Sequence, residues 1–249
     1  MSDRAVSEVV SYVLVFGLVV SAVGIVSVSG LSTLQDVRDD EQIENAQRAF
    51  DVLADNLADV HRRGAPSRAT ELSLGEAQLS TGDNVTMRVR VKSSTEPTRS
   101  EAWRLRPIVY TGSENRKLVY EAGAVFRIST GGNGVRVHDP PFVVNRDRVL
   151  ISIPGTNRPD RQAISGTTVL VRGVGQGQEV AFNGTATDIT SVNVTMDGTE
   201  RADLWKQYFN ESGFTCSLSG SDRVECEYTP GTIDRVYVVY HDIEVDIES

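Results

Sequence analysis

No charged residue interrupts the chain from Val9 to Gln35, and this run opens behind a short polar lead, Met1-Ser2-Asp3-Arg4. A stretch so dense in Val, Leu, Ile and Phe is long enough to cross a bilayer, because about 20 helical residues rising 1.5 Å each span a hydrocarbon core roughly 30 Å thick. A helix that is apolar all round does not sit on the surface of a soluble domain. The segment is therefore expected in a membrane or inside an assembly of like helices.

The helical pattern does not stop where the apolar run ends. Ile43, Ala46, Phe50, Leu53, Leu57 and Val60 recur at steps of three and four, with Asp, Glu, Arg, Asn and Gln between them. No proline falls between Val9 and Arg63, and Gly64-Ala65-Pro66 supplies a stop signal. The expected element is one long helix, apolar all round in its first half and amphipathic in its second. Gly17, Gly24 and Gly30 lie in the apolar half. They admit two readings: close approach of another helix at Gly17 and Gly24, or the ordinary frequency of glycine in membrane spans.

Beyond Pro66 the pattern changes to short alternating runs separated by Gly, Asn, Asp and Pro, which predicts an antiparallel β domain. Strands are expected over 84–91, 104–110, 117–128, 148–153, 167–171 and 235–245. One helical interruption, 201–209, places Leu204, Trp205, Tyr208 and Phe209 on one face. That face is expected on the sheet, with an exposed aromatic patch as the alternative. The expected class is α+β: a long N-terminal helix, transmembrane then amphipathic, followed by an antiparallel β-sandwich-like head with one short helix. The expected organisation is a lead at 1–5, a helix at 6–63 and a β head at 66–249.

The chemistry implied by composition is sparse. Acids outnumber bases 34 to 25 for a net charge of -9, and the sequence reads as free of any Lys and Arg cluster, so nucleic acid is not an expected partner. Gly173-Val174-Gly175-Gln176-Gly177 has glycines like a phosphate loop, but strand-like residues flank it and no helix follows; a hairpin turn is expected there, and another at Gly131-Gly132-Asn133-Gly134. His61, His138 and His241 lie far apart and lack metal-ligand spacing. Asp242, Glu244, Asp246 and Glu248 alternate along a strand, where they would diverge rather than converge on calcium; a solvated acidic sheet edge is expected. No catalytic residue, metal or cofactor is expected.

Two features point outside the cytoplasm. Cys216 and Cys226 sit symmetrically about a Gly-Ser-Asp turn in a predicted β-hairpin, which sets them opposite each other for a disulfide; unpaired buried thiols are the alternative. Sequons at Asn84, Asn183, Asn193 and Asn210 are candidate glycosylation sites, individually weak in a Thr-rich β protein.

The N-terminal Asp3-Arg4-Ala5-Val6-Ser7-Glu8-Val9-Val10, followed by the apolar run, an amphipathic helix and a β domain, resembles the type IV pilin-like proteins of archaea, especially the haloarchaeal ones. The resemblance implies a prepilin peptidase cut between Ala5 and Val6, partner pilin-like subunits packed through the helix, and a surface filament in which a large head suits a minor pilin or pseudopilin. Glu8 stands where the common haloarchaeal pattern has Pro, and third rather than fifth in the mature chain. It either neutralises a neighbour's amino terminus or sits at the headgroup boundary. Two rivals make different predictions. A single-span surface protein with a binding β domain keeps Arg4-Ala5-Val6 uncut, whereas a secreted domain is cut near Ser27-Val28-Ser29. The pilin-like subunit and the single-span protein share a topology, with the lead inside and Asp36, Asp39, Asp40 and Glu41 outside.

Overall fold

The computed structural model describes residues 2–158, 162–166, 168–184, 189–231 and 233–248, and within α1 it describes the side chains of 10–27, 33–35 and 37 onward. Helix α1 (Ser2–Arg63) is followed by β1 (Ser67–Ser73), β2 (Gln78–Thr81), β3 (Val85–Ser93), β4 (Arg99–Leu105) and β5 (Ile108–Thr111). Next come β6 (Lys117–Glu121), β7 (Ala124–Ile128), β8 (Gly134–His138), β9 (Phe142–Asn145), β10 (Arg148–Asn157) and β11 (Ala163–Ser165). The chain closes with β12 (Thr168–Gly184), β13 (Ile189–Asp197), α2 (Ala202–Glu211), β14 (Thr215–Leu218), β15 (Arg223–Tyr228) and β16 (Arg235–Glu248). The fold is α+β and mostly antiparallel, as the alternating patterns require.

The chain divides into two compact units, residues 1–44 and 45–249. The first carries the charge-free run of α1 and the acidic stretch that follows it. The second contains the rest of α1 and every strand, so the head begins at Asn45 rather than at Pro66. The reason lies in α1 itself: Ala46, Phe50, Leu53, Ala54, Leu57 and Val60 are buried, which makes residues 45–63 a core element of the head. The helix ends as its sequence demands, with Gly64 in the left-handed region at φ +69°, the Ala65 N–H bonded to the Asp59 carbonyl at 3.2 Å, and Pro66 unable to continue.

Among the described residues three sheets build the head, ordered β1-β12-β16-β10-β9 (sheet A), β11-β2-β5-β6-β7-β8 (sheet B) and β14-β15-β13-β3-β4 (sheet C). Within sheet A, β10 and β16 run parallel, the one parallel pair among the described strands. Their connection passes through β11–β15 and α2, long enough for the crossover a parallel pair needs. The predicted strand 104–110 proves to be two, broken at Arg106-Pro107, with β4 in sheet C and β5 in sheet B. The run 117–128 is the β6–β7 hairpin, turned by Ala122 (φ 50°) and Gly123 (φ 87°). A Cβ on Gly123 would lie 2.4 Å from Pro141 Cδ, so only glycine fits that corner.

Two buried layers meet at β16. Val236 and Val238 belong to a core between sheets A and C that also holds Ile151, Val194, Trp205 and Phe209. Ile243, Val245 and Ile247 have the opposite parity and point to the other face, where Leu57 of α1 packs. The strand is therefore central, not the acidic edge its sequence suggested. Its outward carboxylates are met by neighbouring strands: Asn157 Nδ2 donates to Asp242 at 2.9 Å, Gln176 Nε2 to Glu244 at 2.5 Å, Arg158 pairs with Asp246, and Arg172 with Glu248 at 3.7 Å.

The glycines at 173, 175 and 177 likewise form no hairpin turn. They lie inside β12, with a register shift between Gly175 and Gly177. A Cβ on Gly173 would meet Leu57 Cδ2 at 2.4 Å, so this glycine lets α1 lie close against sheet A. The turn expected at 131–134 is present as the β7–β8 hairpin loop, closed by Ser129 N–H to Asn133 O at 2.7 Å.

Candidate functional site

In the N-terminal unit, Val10–Ser27 has a mean hydropathy of 2.3, and none of the segment is buried. Tyr12, Leu14, Leu18 and Val26 stand fully outward, and a Cβ on Gly17 or Gly24 would meet nothing within 4 Å. This is one helix apolar enough to cross a membrane, with both small-residue positions open to an external neighbour. Ala5, Val6 and Glu8 lie on α1, but their side chains fall outside the described residues, and the surroundings of Gly30 are likewise not described.

The predicted hairpin and its cross-link are both present. Cys216 and Cys226 are directly opposed in the β14–β15 register and form a disulfide. The loop between them returns at Ser219 N–H to Arg223 O, 2.9 Å. The four candidate asparagines differ in setting. Asn84 is exposed before β3 and its side-chain oxygen accepts from Arg106 Nε at 3.2 Å; Asn210 is exposed in the last turn of α2. Asn193 is half-buried in the middle strand of sheet C, and Asn183 is exposed in β12 while Thr185 of its triplet is outside the described residues.

Helix α2 buries Trp205, Tyr208 and Phe209 as expected, with Leu204 half-buried. Its anchor is a polar cluster that sequence gave no sign of. Glu121, wholly buried at the end of β6, accepts from Thr199 Oγ1 (2.8 Å), Arg201 Nε (3.0 Å) and Nη2 (2.5 Å), and Trp205 Nε1 (2.5 Å). Four donors satisfy one carboxylate and leave its charge paired, which is the condition for burying it. The arrangement locks α2 to the β6–β7 hairpin. It leaves neither oxygen open to a substrate.

Hollows in the head include three with polar linings among the described residues. One of about 410 Å³ lies between the 129–134 loop and the start of α2, lined by Lys117, Asn133, Glu200 and Asp203. Another of about 560 Å³ is bounded by Arg146, Arg148, Arg235, Asp147 and Asp234. The third, about 440 Å³, opens where α1 ends on sheet A, and there the fold unites two histidines that are 180 positions apart. The His61 and His241 rings lie 5.2 Å apart between centroids, with Val60, Arg62, Asp242 and Ile243 around them. Burial, the neighbouring His241 and Arg62 all disfavour a proton on His61, lowering its pKa to about 3. His241 is lowered in the same direction by burial. His61 Nδ1 has no hydrogen-bond partner among the described residues. No group of three or more His, Cys, Asp or Glu able to hold a metal occurs among the described residues.

No curated protein and no solved structure is significantly similar to the chain. A family model does match, and it runs through the apolar helix and the head together, over residues 4–246. The chain thus belongs to the family of unknown function DUF7289.

Proposed function

We propose that the chain is a non-catalytic, type IV pilin-like subunit, a minor pilin or pseudopilin of a cell-surface filament. The observation that carries this reading is the exposed apolar helix Val10–Ser27, covalently continuous through α1 with a folded β head. Such a helix has two compatible hosts, hydrocarbon before assembly and a bundle of like helices after it, and burial of its side chains stabilises either state. Gly17 and Gly24 supply the close approach that helix packing in the bundle uses. Glu8 meets a neighbour's amino terminus, and prepilin peptidase cuts between Ala5 and Val6. The head stands on the extracytoplasmic side, where the Cys216–Cys226 disulfide persists and the exposed sequons accept glycans.

N-terminal sequencing of the protein recovered from native membranes and from shed surface material tests the proposal. A start at Val6 in both fractions is the expected result. An intact Arg4-Ala5-Val6 in all material refutes it in favour of a static single-span anchor with a binding head, and a start near Gly30 refutes it in favour of a secreted domain.

A further inference from the structure

Strand β3 carries the sequence Arg88-Val89-Arg90-Val91-Lys92, in which the valines are buried and the basic residues line the outer face of sheet C. Arg88 lies between Thr195 of β13 and Ala102 of β4, and Arg90 between Asn193 and Ser100, so neither has a carboxylate directly beside it. Arg104, diagonal to Arg88 on β4, widens the same field. Lys92 reaches Glu227 at 3.2 Å, whereas Arg88, Arg90 and Arg104 make no ion pair or hydrogen bond among the described residues. Several arginines of the head are matched to acids, as at Arg201 with Glu121, Arg136 with Asp139 and Glu211, and Arg223 with Glu225. A row of like charges on one sheet face disfavours the fold slightly unless an anion lies across it. In a chain of net charge -9, the row runs against the overall balance.

We propose that the Arg88–Arg90–Lys92 row docks the acidic helical stretch 36–44 of a second copy of this chain. That stretch holds Asp36, Asp39, Asp40, Glu41 and Glu44 against the single base Arg38. Asp36, Asp40 and Glu44 recur every fourth residue, about 6 Å apart along a helix. The basic row recurs every second residue, about 6.8 Å apart along a strand, so the two rows match over their length. Both lie on residues every copy carries, which makes the contact heterologous and propagating. The inference rests on the assembly reading, because only packed copies bring one chain's helix to another's head. Charges this exposed are screened over about 10 Å at 0.1 M salt, so the contact steers and registers subunits while apolar helix packing holds them.

The test uses the full chain expressed in its native host, with assembled material recovered from the surface and the detergent-solubilised chain sedimented at low and high salt. Arg88→Glu/Arg90→Glu is expected to lower assembled protein at least tenfold and to abolish salt-sensitive self-association, with the unfolding midpoint unchanged because both side chains are exposed. Adding Asp36→Arg/Asp40→Arg is expected to restore assembly. Wild-type assembly matched by the reversed variant overturns the docking proposal and leaves the assembly reading standing. Loss without rescue by the swapped charges also overturns it and assigns the row to another polyanion. Wild-type chains that yield no filament refute the assembly reading, and the docking proposal is then judged by self-association in detergent alone: no salt-sensitive difference between wild type and Arg88→Glu/Arg90→Glu overturns it too.

Discussion

Acidification is expected to destabilise the head through His61, with a magnitude that follows from the geometry at the end of α1. An exposed histidine titrates near 6.5, and the folded His61 near 3, because its ring is buried beside His241 and Arg62 with an unpartnered Nδ1. Between those values the unfolded chain binds a proton that the folded chain refuses. Stability is therefore fully present above the unfolded value of about 6.5 and falls by about 1.4 kcal/mol per pH unit as pH drops toward 3. Moving from pH 7.5 to pH 5 costs about 2 kcal/mol from this residue alone, a large share of a typical 5–15 kcal/mol. His241 is shifted in the same direction and adds to the loss.

The measurement is urea unfolding of the detergent-solubilised chain at a series of pH values, followed by tryptophan fluorescence. Trp103 and Trp205 are the chain's two tryptophans, and both lie in the head, so the signal reports the head and not the apolar helix. His61→Leu removes the titrating group and keeps the apolar contact with sheet A. Its stability should be flatter than wild type by about 1.4 kcal/mol per unit between pH 6 and 4.5. Other shifted acids cancel in this difference. Glu211 and Glu227 are lowered by hydrogen bonds from Arg136 and Lys92, and so act below the usual carboxylate range, while Asp51 is raised by burial and has the opposite sign. Parallel profiles for wild type and His61→Leu would refute the reasoning, since the proton uptake must then occur elsewhere.

Replacing both cysteines with serine should cost about 3 kcal/mol of head stability in urea, the loop-entropy value for a bridge closing so short a loop, without changing the far-ultraviolet spectrum. Glu121→Gln leaves the Arg201 guanidinium buried beside a neutral amide and should cost about 3 kcal/mol, read as a lowered midpoint and a shifted Trp205 emission; an unchanged midpoint would mean the ion pair contributes nothing net. A fragment comprising 66–249 should fail to fold cooperatively, while one comprising 45–249 should unfold in a single transition. Phe50, Leu53 and Leu57, each worth about 2–5 kcal/mol when truncated, leave with the shorter fragment.

What was legible in the sequence was whatever depends on neighbours along the chain. The apolar helix, the alternation of β3, the cysteine hairpin and the aromatic face of α2 all declare themselves within a dozen residues, because their periodicity is the signal. Misreadings fall where the deciding contact is remote. Nothing near Asp242 announces that β10 and β12 flank it, so its acidic row read as an edge. The His61–His241 pair is visible only once α1 is laid on β16. Two remote features did leave a local trace. A glycine inside a strand pattern, as at Gly173, signals close approach of another element, here Leu57. Arg88-Val89-Arg90-Val91-Lys92 shows its basic face as soon as it is read with the period of a strand rather than counted as charge in a window.

The same reasoning explains why the head's boundary was misplaced. Proline and glycine at 64–66 mark the end of a helix, and the end of a helix is easily taken for the start of a domain. Domain membership is decided by burial: the charge-free run of α1 ends at Gln35, an acidic stretch follows, and buried apolar residues recur from Ile43 onward. That change separates two demands made of one helix. The charge-free part is apolar on every side and exposed over Val10–Ser27, while the second presents a single stripe to sheets A and B, where Phe50 meets Tyr110 edge-on and Leu57 fills the gap left by Gly173.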